Sequence, residues 1–319
     1  MDAVRLELRH LRVLKAVADA GSVTRAAAAL GVSQPALTAQ LHRIEALVGG
    51  EVFSRGRHGA VPTPFGEFVL SRARAALDNV DAILDARPGE DELSSVRLGG
   101  IEASVVIDLS DRLDELFPGL EITVTTEYSD RLLLDMVTTG RLDCVLVADY
   151  PGHELVPGPS LTYRVVAVEP VFVMLPRTHP AAAGDEVELT DLAKEAWVVS
   201  PPDGTGWPEH FFETCERLGF RPKTRYQITQ RNLRFELISS GRAVVTCEPR
   251  LAERGDAVVR PLAGSPLWMR HVVAWNPAGP MARHADDLVT LTRECHARAT
   301  ERAPVLQDWL RRHGPPEHP

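Results

Sequence analysis

Residues 21–50, GSVTRAAAALGVSQPALTAQLHRIEALVGG, constrain the fold more than any other stretch, because their punctuation demands two short helices joined by a tight turn. Ser22 is a good N-cap; Val23, Ala26, Ala27 and Leu30 recur at helical spacing; Gly31 supplies a left-handed stop. After the Gly31-Val32 turn, Ser33 caps a second helix whose first turn tolerates Pro35. Leu37, Leu41 and Ile44, with Leu47 or Val48, form its apolar stripe, and the alanines at 26–29 suit close helix-to-helix approach. The opposite face carries Gln34, Thr38, Gln40, His42 and Arg43, which can bond base edges and phosphates. The Pro35 ring and the Thr38 methyl suit a thymine methyl. Ser22, Thr24 and Ser33, at the helix starts, complete this candidate DNA-reading set.

Alanine-rich helical hairpins also occur in proteins that never meet nucleic acid, so the next segment decides. Val52-Phe53 and SRGRHGAVPTP place Arg55, Arg57 and His58 on a Gly- and Pro-punctuated loop, which reads as a β-wing beside a DNA backbone.

In this order of features the chain resembles the LysR-type transcriptional regulators. Leu8-Arg9-His10-Leu11 resembles their opening helix, and Ala27 and Leu30 their second. Ser33-Gln34-Pro35-Ala36-Leu37 resembles the start of their recognition helix, and Gln40 and Glu45 its middle. Phe53, Arg55, Thr63, Pro64 and Gly66 fall on the wing and the next helix at the family's spacing. Ala39 and His42 stand where the family often has arginine or lysine, and Pro62 and Phe65 replace its usual leucine and alanine. Fewer cations on that helix weaken phosphate attraction.

Charge divides the chain the same way. Residues 1–65 carry eight Lys and Arg against five Asp and Glu, a balance of +3, which leaves −12 on the rest of a chain of net −9. A local basic patch on an acidic bulk permits DNA binding without general adhesion to nucleic acid. At 319 residues two or three domains are expected. The chain shows no secretory h-region, membrane-length apolar run or lipidation signal, so a cytoplasmic protein with no membrane partner is expected. Cys144, Cys215, Cys247 and Cys295 form no Cys-x-x-Cys pair, and buried free thiols are favoured over metal or redox chemistry.

Residues 66–86 read as one long helix with Val69, Ala73, Ala76 or Leu77, Val80 and Ile83 or Leu84 on a stripe that wants a partner. The resemblance implies that this linker helix pairs with its copy in a second subunit, giving a homodimer or homotetramer on double-stranded promoter DNA. Arg87-Pro88-Gly89 and the acids after it mark a hinge.

Beyond it, SVRLGGI, DLSDRLDELF, LEITVTTEY, SDRLLLDMVTTG and RLDCVLVADY alternate as βαβαβ, whose near-continuous apolar strands predict a parallel sheet covered on both faces; a second set follows, so two α/β lobes joined by crossover strands near residues 163–170 and 265–275 are expected. The fold class is thus α/β overall: an N-terminal all-α winged helix-turn-helix over 1–65, a linker helix over 66–87, and an effector domain over 88–297. The effector domain resembles two-lobe periplasmic binding proteins, with lobe I at about 95–165 and 270–297 and lobe II at about 166–269. The tail at 298–319 lies outside the resemblance, and residues 304–312 suggest one short helix.

In a two-lobe fold of this kind a small molecule binds at the carboxyl ends of the strands. That rule selects Glu102, Ser104, Val105, Tyr128, Ser129 and Ala148 in the first lobe. In the second it selects Pro201, Thr205, Gly206, Thr229, Gln230, Thr246 and Glu248. Singly, Ser104 and Ser129 also fit N-caps, Tyr128 an edge aromatic and Thr246 a strand residue. Glu102, Glu127 and Glu248 disfavour an anion, a balance that an inward Arg231 reverses. No Gly-x-Ser-x-Gly, His-Glu-x-x-His or phosphate-loop motif occurs, nor a histidine and carboxylate cluster at ligand spacing, so no enzyme, metal or cofactor is expected. The reading is a regulator, activator or repressor, whose effector is unspecified and whose further partner, if it activates, is RNA polymerase.

Overall fold

A computed structural model describes residues 6–56, 59–85, 93–101 and 103–316. The chain forms two compact units, residues 1–92 with 139–141, and residues 93–138 with 142–319.

In the first unit, α1 (Leu8–Ala20), α2 (Val23–Ala29) and α3 (Gln34–Val48) precede the hairpin β1 (Phe53–Gly56) and β2 (Gly59–Pro62), and α4 (Pro64–Asp85) follows. The caps lie where the sequence puts them. Ser22 Oγ accepts from the Arg25 N–H and Ser33 Oγ from the Ala36 N–H, while Gly31 takes φ +68° between the two helices. Leu14, Val17, Ala26, Leu37, Leu41 and Ile44 close one core beneath the three helices. The wing is tied down twice. Glu45, buried on α3, accepts from the Val52 and Phe53 N–H groups at 3.0 and 3.2 Å, and Gly21 O accepts from the Ala60 N–H at 3.1 Å. Gly59 sits at φ +94°, where a Cβ would fall 2.3 Å from Gly21 O, so the hairpin approaches the α1–α2 turn only without a side chain there.

On α4, Ala73 and Leu77 bury against Leu11 of α1. Of the predicted stripe, Val69, Ala76 and Val80 are only half-buried, while Leu70, outside the stripe, is buried. The side chains of 83 and 84, and the hinge at 87–92, lie outside the described residues.

The second unit contains two five-stranded sheets. Lobe I has β3 (Ser95–Gly100), α5 (Ala103–Leu116), β4 (Glu121–Thr126), α6 (Asp130–Thr138), β5 (Cys144–Asp149) and β6 (Thr162–Pro170). Lobe II has β7 (Phe172–Pro176), β8 (Ala196–Val199), α7 (Glu209–Arg217), β9 (Lys223–Gln227), α8 (Arg231–Ser239), β10 (Val244–Cys247) and β11 (Ala257–Arg260). The chain then returns to lobe I as β12 (Trp268–Trp275) and α9 (Ala285–Glu301), and ends in α10 (Pro304–His313).

The sheet orders are β4-β3-β5-β12-β6 and β11-β7-β10-β8-β9. As expected, β3 runs parallel to β4 and β5, and antiparallel pairing enters through other strands. β12 runs antiparallel to β5 and β6, and β7 antiparallel to β10 and β11, because each sheet closes with a strand that enters from the other lobe. Nor is every strand covered: β4 is an edge with Glu121, Thr123 and Val124 exposed. Both β6 and β12 pair along their length within lobe I, so the crossings fall after Pro170 and before Trp268.

α10 buries Leu306 and Trp309 in lobe II, with the Trp309 ring 6.4 Å from Phe172 and 6.1 Å from Trp268. Arg312 and His313 pair with Glu186 at 3.3 and 3.2 Å. Since α9 packs in lobe I, the tail is a third connection between the lobes.

Candidate functional site

On α3 the apolar stripe is turned inward, which leaves Gln34, Pro35, His42 and Arg43 exposed and Thr38 and Gln40 half-exposed. Pro35 occupies the first turn, where no N–H is needed for the ladder. Arg43 Nε donates to Ala39 O on its own helix at 3.3 Å, and His42 Nδ1 lies 3.6 Å from the Glu45 carboxylate. Thr24 is exposed on α2; Ser22 and Ser33 spend their hydroxyls as caps. On the wing, Arg55 pairs with Ala60 across the hairpin, but its side chain, with Arg57 and His58, lies outside the described residues. The sequence reading passed over Glu45 as a wing anchor; an acid on the inner side of an amphipathic helix was the available signal.

The second unit holds a cleft of about 690 Å³ between its lobes. It opens at the carboxyl ends of the parallel strands, the position that such sheets offer to ligands. Of the predicted residues, Tyr128, Pro201, Thr205, Thr229, Gln230, Thr246 and Glu248 line it. Val105 and Ala148 instead line a second cavity of about 60 Å³, which shares Ile101, Asp130, Tyr150, Glu248 and Met269 with the first. Ser104 is exposed on the first turn of α5 and lines neither cavity, and Glu102 lies outside the described residues. Gly206 also lines neither; its φ of +104° brings the backbone to His153, whose Cβ would sit 2.2 Å from an added methyl.

Ser129 joins the lobes rather than lining the cleft. Its hydroxyl donates to Asp203 Oδ2 at 2.8 Å and accepts from the Leu132 N–H at 3.2 Å, so it is both the cap of α6 and half of a bridge. Asp203 also accepts from the Arg131 N–H at 3.4 Å and, through Oδ1, from the Thr205 N–H and hydroxyl at 3.1 and 2.5 Å. The sequence reading missed Asp203, along with Asp130, Tyr150, Trp207, Arg234, Phe235 and Cys247 on the same walls.

The electrostatics of the walls are uneven. Arg234 donates Nε to Ile228 O and Nη2 to Ser200 Oγ, both at 2.8 Å; burial, and then neighbouring Arg231, lowers its pKa. Asp130 accepts from the Ala148 N–H at 3.3 Å, and burial, followed by the field of Asp203, raises it well above the usual carboxylate range. Burial, then Asp130 and Glu248, raises Tyr150, whose ring tilts against Trp207 at 5.0 Å. All four cysteines are free thiols. Burial pushes Cys215 up to about 12 and Cys247 higher still, which removes the thiolate that redox chemistry needs.

Contrary to the sequence reading, the fold does assemble a histidine and carboxylate cluster. Glu169, His271 and His296, buried on β6, β12 and α9, bring ligating atoms within 4.8 Å of one another. Their separation in sequence hid them. Arg250 already supplies a cation there: its Nη1 is 2.5 Å from Glu169 Oε1 and also donates to His296 Nε2. His271 Nε2 lies 2.9 Å from Glu169 Oε2. Burial, and then His271, lowers His296 to about 3. The group is a buried ion-pair network.

Two family profiles match this chain: a bacterial regulatory helix-turn-helix of the LysR family over residues 8–67, and a LysR substrate binding domain over residues 91–296. A small neutral protease regulatory protein of Streptomyces coelicolor is 36% identical over 324 residues, covering 98% of each chain. The HTH-type transcriptional regulator ShiR of Corynebacterium glutamicum is 26% identical, over 88% of this chain and 96% of that one. Among solved structures, a Corynebacterium glutamicum OxyR mutant shares the fold at a TM-score of 0.58 and 18% identity, over 97% and 96% of the two chains. Among the described residues no helix is long and apolar enough to cross a membrane. The chain belongs to the LysR family of DNA-binding transcriptional regulators, with a helix-turn-helix at its N-terminus and an effector-binding domain after it.

Proposed function

We propose that α3 reads the major groove of a dyad-symmetric promoter site, with Gln34, Thr38 and Arg43 as the main reading or clamping residues and Gln40, His42 and Pro35 beside them. Ser22, Thr24 and Ser33 position the helices on the backbone, and Arg55 and Arg57 of the wing follow the flanking phosphates. The observation that carries this reading is the exposed polar face of a capped α3 beside a hairpin that Glu45 and Gly21 hold in place.

Two copies would pair through α4, on which Phe68 is 60% exposed and Phe65 lies one turn away on the same side. Two half-sites multiply the specificity of one short helix, and a tetramer on one promoter is the extended form. The boundaries at 65, 87 and 297 belong to this proposal, as does a cytoplasmic location. If the regulator activates, RNA polymerase is its further partner. The Streptomyces relatives are named as regulators of a small neutral protease, and a protease promoter is the first target to test.

The cleft of the second unit takes the effector, held by Tyr128, Pro201, Thr205, Thr229, Gln230, Thr246 and Glu248, with Ser129 contributing through Asp203. A ligand that prefers one lobe arrangement shifts DNA binding by about 1–3 kcal/mol, the usual size of such couplings. Footprinting on the DNA flanking the chain's own gene, across a salt series, tests the reading. A protected dyad that weakens steeply with salt and disappears without residues 1–86 supports it; unchanged protection by the deletion rejects it.

A further inference from the structure

Both signs of charge line the cleft, with Asp203 and Glu248 as the acids of lobe II. Arg231 and Arg234 come from α8 of lobe II, whereas Glu127 and Asp130 come from the β4–α6 edge of lobe I. Glu248, after β10, shares the small second cavity with Asp130 and Tyr150, and Asp203 is bonded to Ser129, the neighbour of Asp130. The acids therefore gather around the buried Tyr150 phenol, whereas Arg231 and Arg234 line only the larger cleft. Met174, Val245, Met269, Trp207 and Phe235 supply apolar wall to the same cleft.

A simple carboxylate would satisfy the arginines and leave its other end against acids. A simple amine would meet the reverse. Burying an unmatched charge costs more than a matched one returns, so each singly charged ligand forfeits part of the site.

We propose that the effector is amphoteric: a small molecule with a carboxylate toward Arg231 and Arg234, a protonated amine toward Asp130 and Tyr150, and an apolar body between them. That is the chemistry of a free apolar amino acid or a short apolar peptide. The inference rests on the reading of this cleft as the effector site. Asp130 is suited to its part because its neutral form already fits the fold, and an arriving ammonium supplies the partner that makes its ionised form favourable.

The test uses the full chain, with calorimetry and thermal melting. One set of probes is phenylalanine, 3-phenylpropanoate, which lacks the amine, and phenethylamine, which lacks the carboxylate. Leucine with 4-methylpentanoate and isoamylamine is a second set. The dipeptide phenylalanyl-leucine with its N-acetyl and C-amide forms is a third, and it separates peptide from amino acid as the source. In at least one set the doubly charged parent binds about tenfold or more tighter than both singly charged relatives.

In Asp130→Asn the advantage over the amine-free relative falls to about threefold or less, and in Arg231→Gln the advantage over the carboxylate-free relative does so. Ligand-free melting checks that each variant folds, and Glu127→Gln replaces Asp130→Asn if that one does not. If 3-phenylpropanoate or 4-methylpentanoate binds as tightly as its parent, the ligand is a plain anion and the inference falls, while the effector-site reading stands. If no parent in any set binds, the inference also falls. The effector-site reading fails on different grounds, if a ligand that shifts the footprint still does so in Trp207→Ala.

Discussion

The helix-turn-helix and the cleft are both candidate binding sites, but they are built from opposite kinds of contact. The caps and anchors that set α3 are local to it: Ser33 at its start, Gly49 at its end, and Glu45 reaching Val52 and Phe53. The cleft is assembled from eight stretches spread between residues 101 and 269. Its inter-lobe bridge joins Ser129 to Asp203, and the network behind it joins Glu169 to His271 and His296. Local encoding places a few exposed side chains on a rigid helix, which suits a constant target such as duplex DNA. Nonlocal encoding lets two lobes shift against each other, which suits a site that must change when its ligand arrives.

If that contrast is right, a lesion far along the chain should damage the second unit and spare the first. Trp309→Ala removes a buried ring from between Phe172 and Trp268. It should cost about 3–5 kcal/mol in the unfolding of the second unit. Urea titration followed by fluorescence, beside a fragment-level footprint, reads both. A loss of DNA protection as large as the loss of effector-domain stability would break the contrast.

The second test uses pH. In the fold His296 is held near 3, against an ordinary value of 6.5, first by burial and then by His271, with Arg250 adding to the depression and Glu169 opposing it. A depressed histidine contributes stability that is complete above 6.5, where folded and unfolded chains are both neutral. As pH falls from 6.5 toward 3 the unfolded chain takes up a proton that the folded one refuses, and stability is lost. Between pH 6.5 and 5 the loss should approach about 2 kcal/mol, at about 1.4 kcal/mol per pH unit. His296→Gln should flatten that limb in a pH series of melts. An unchanged acid limb would show that the network titrates elsewhere.

These two tests bear on what the sequence could disclose. The caps, stops and stripe of residues 21–50 were legible because each is a decision made within one helical turn. The βαβ alternation was legible for the same reason, and α10 was foreseen from Pro304 onward. What escaped depends on where distant strands land. The antiparallel closure of both sheets follows from the directions in which the two crossing strands enter, which no local pattern marks. Asp203 sits in PPDGTG, a stretch that looks like any turn until α6 arrives beside it. Rule-based selection of strand ends found seven residues on the cleft wall but could not tell Ser104, on the outer turn of α5, from Thr229. Arg234 was hidden by its hydrogen bonds to Ser200 and Ile228, which only the folded lobe creates.

A third test sharpens the local side. Gln34 is exposed at the start of α3, and a side-chain amide there has the shape to take a bidentate pair with a base. Gln34→Ala should cost about 1–3 kcal/mol on the best half-site and little on sites altered at the base it reads, relaxing specificity there. Binding to a panel of single-base variants of the footprinted site measures this. A uniform loss across the panel would move Gln34 from base reading to backbone positioning.

The smallest expected effect separates affinity from readout on the same helix. Arg43 lies one turn beyond Ala39 and curls back so that Nε donates to the Ala39 carbonyl at 3.3 Å. To reach a phosphate it must release that bond, so its net contribution should be below about 1 kcal/mol, in the range of an exposed ion pair. Its signature is in the salt dependence rather than in the affinity at one condition. Arg43→Ala should lower the slope of log affinity against log salt by about 0.9 per half-site, the value for one lost phosphate contact, and should do so equally on every half-site sequence. An unchanged slope with altered base preference would make Arg43 a reader, and the polar face of α3 would then discriminate along its whole exposed length. An unchanged slope and unchanged preference would remove Arg43 from the interface, and the phosphate attraction of this unit would have to come from its wing.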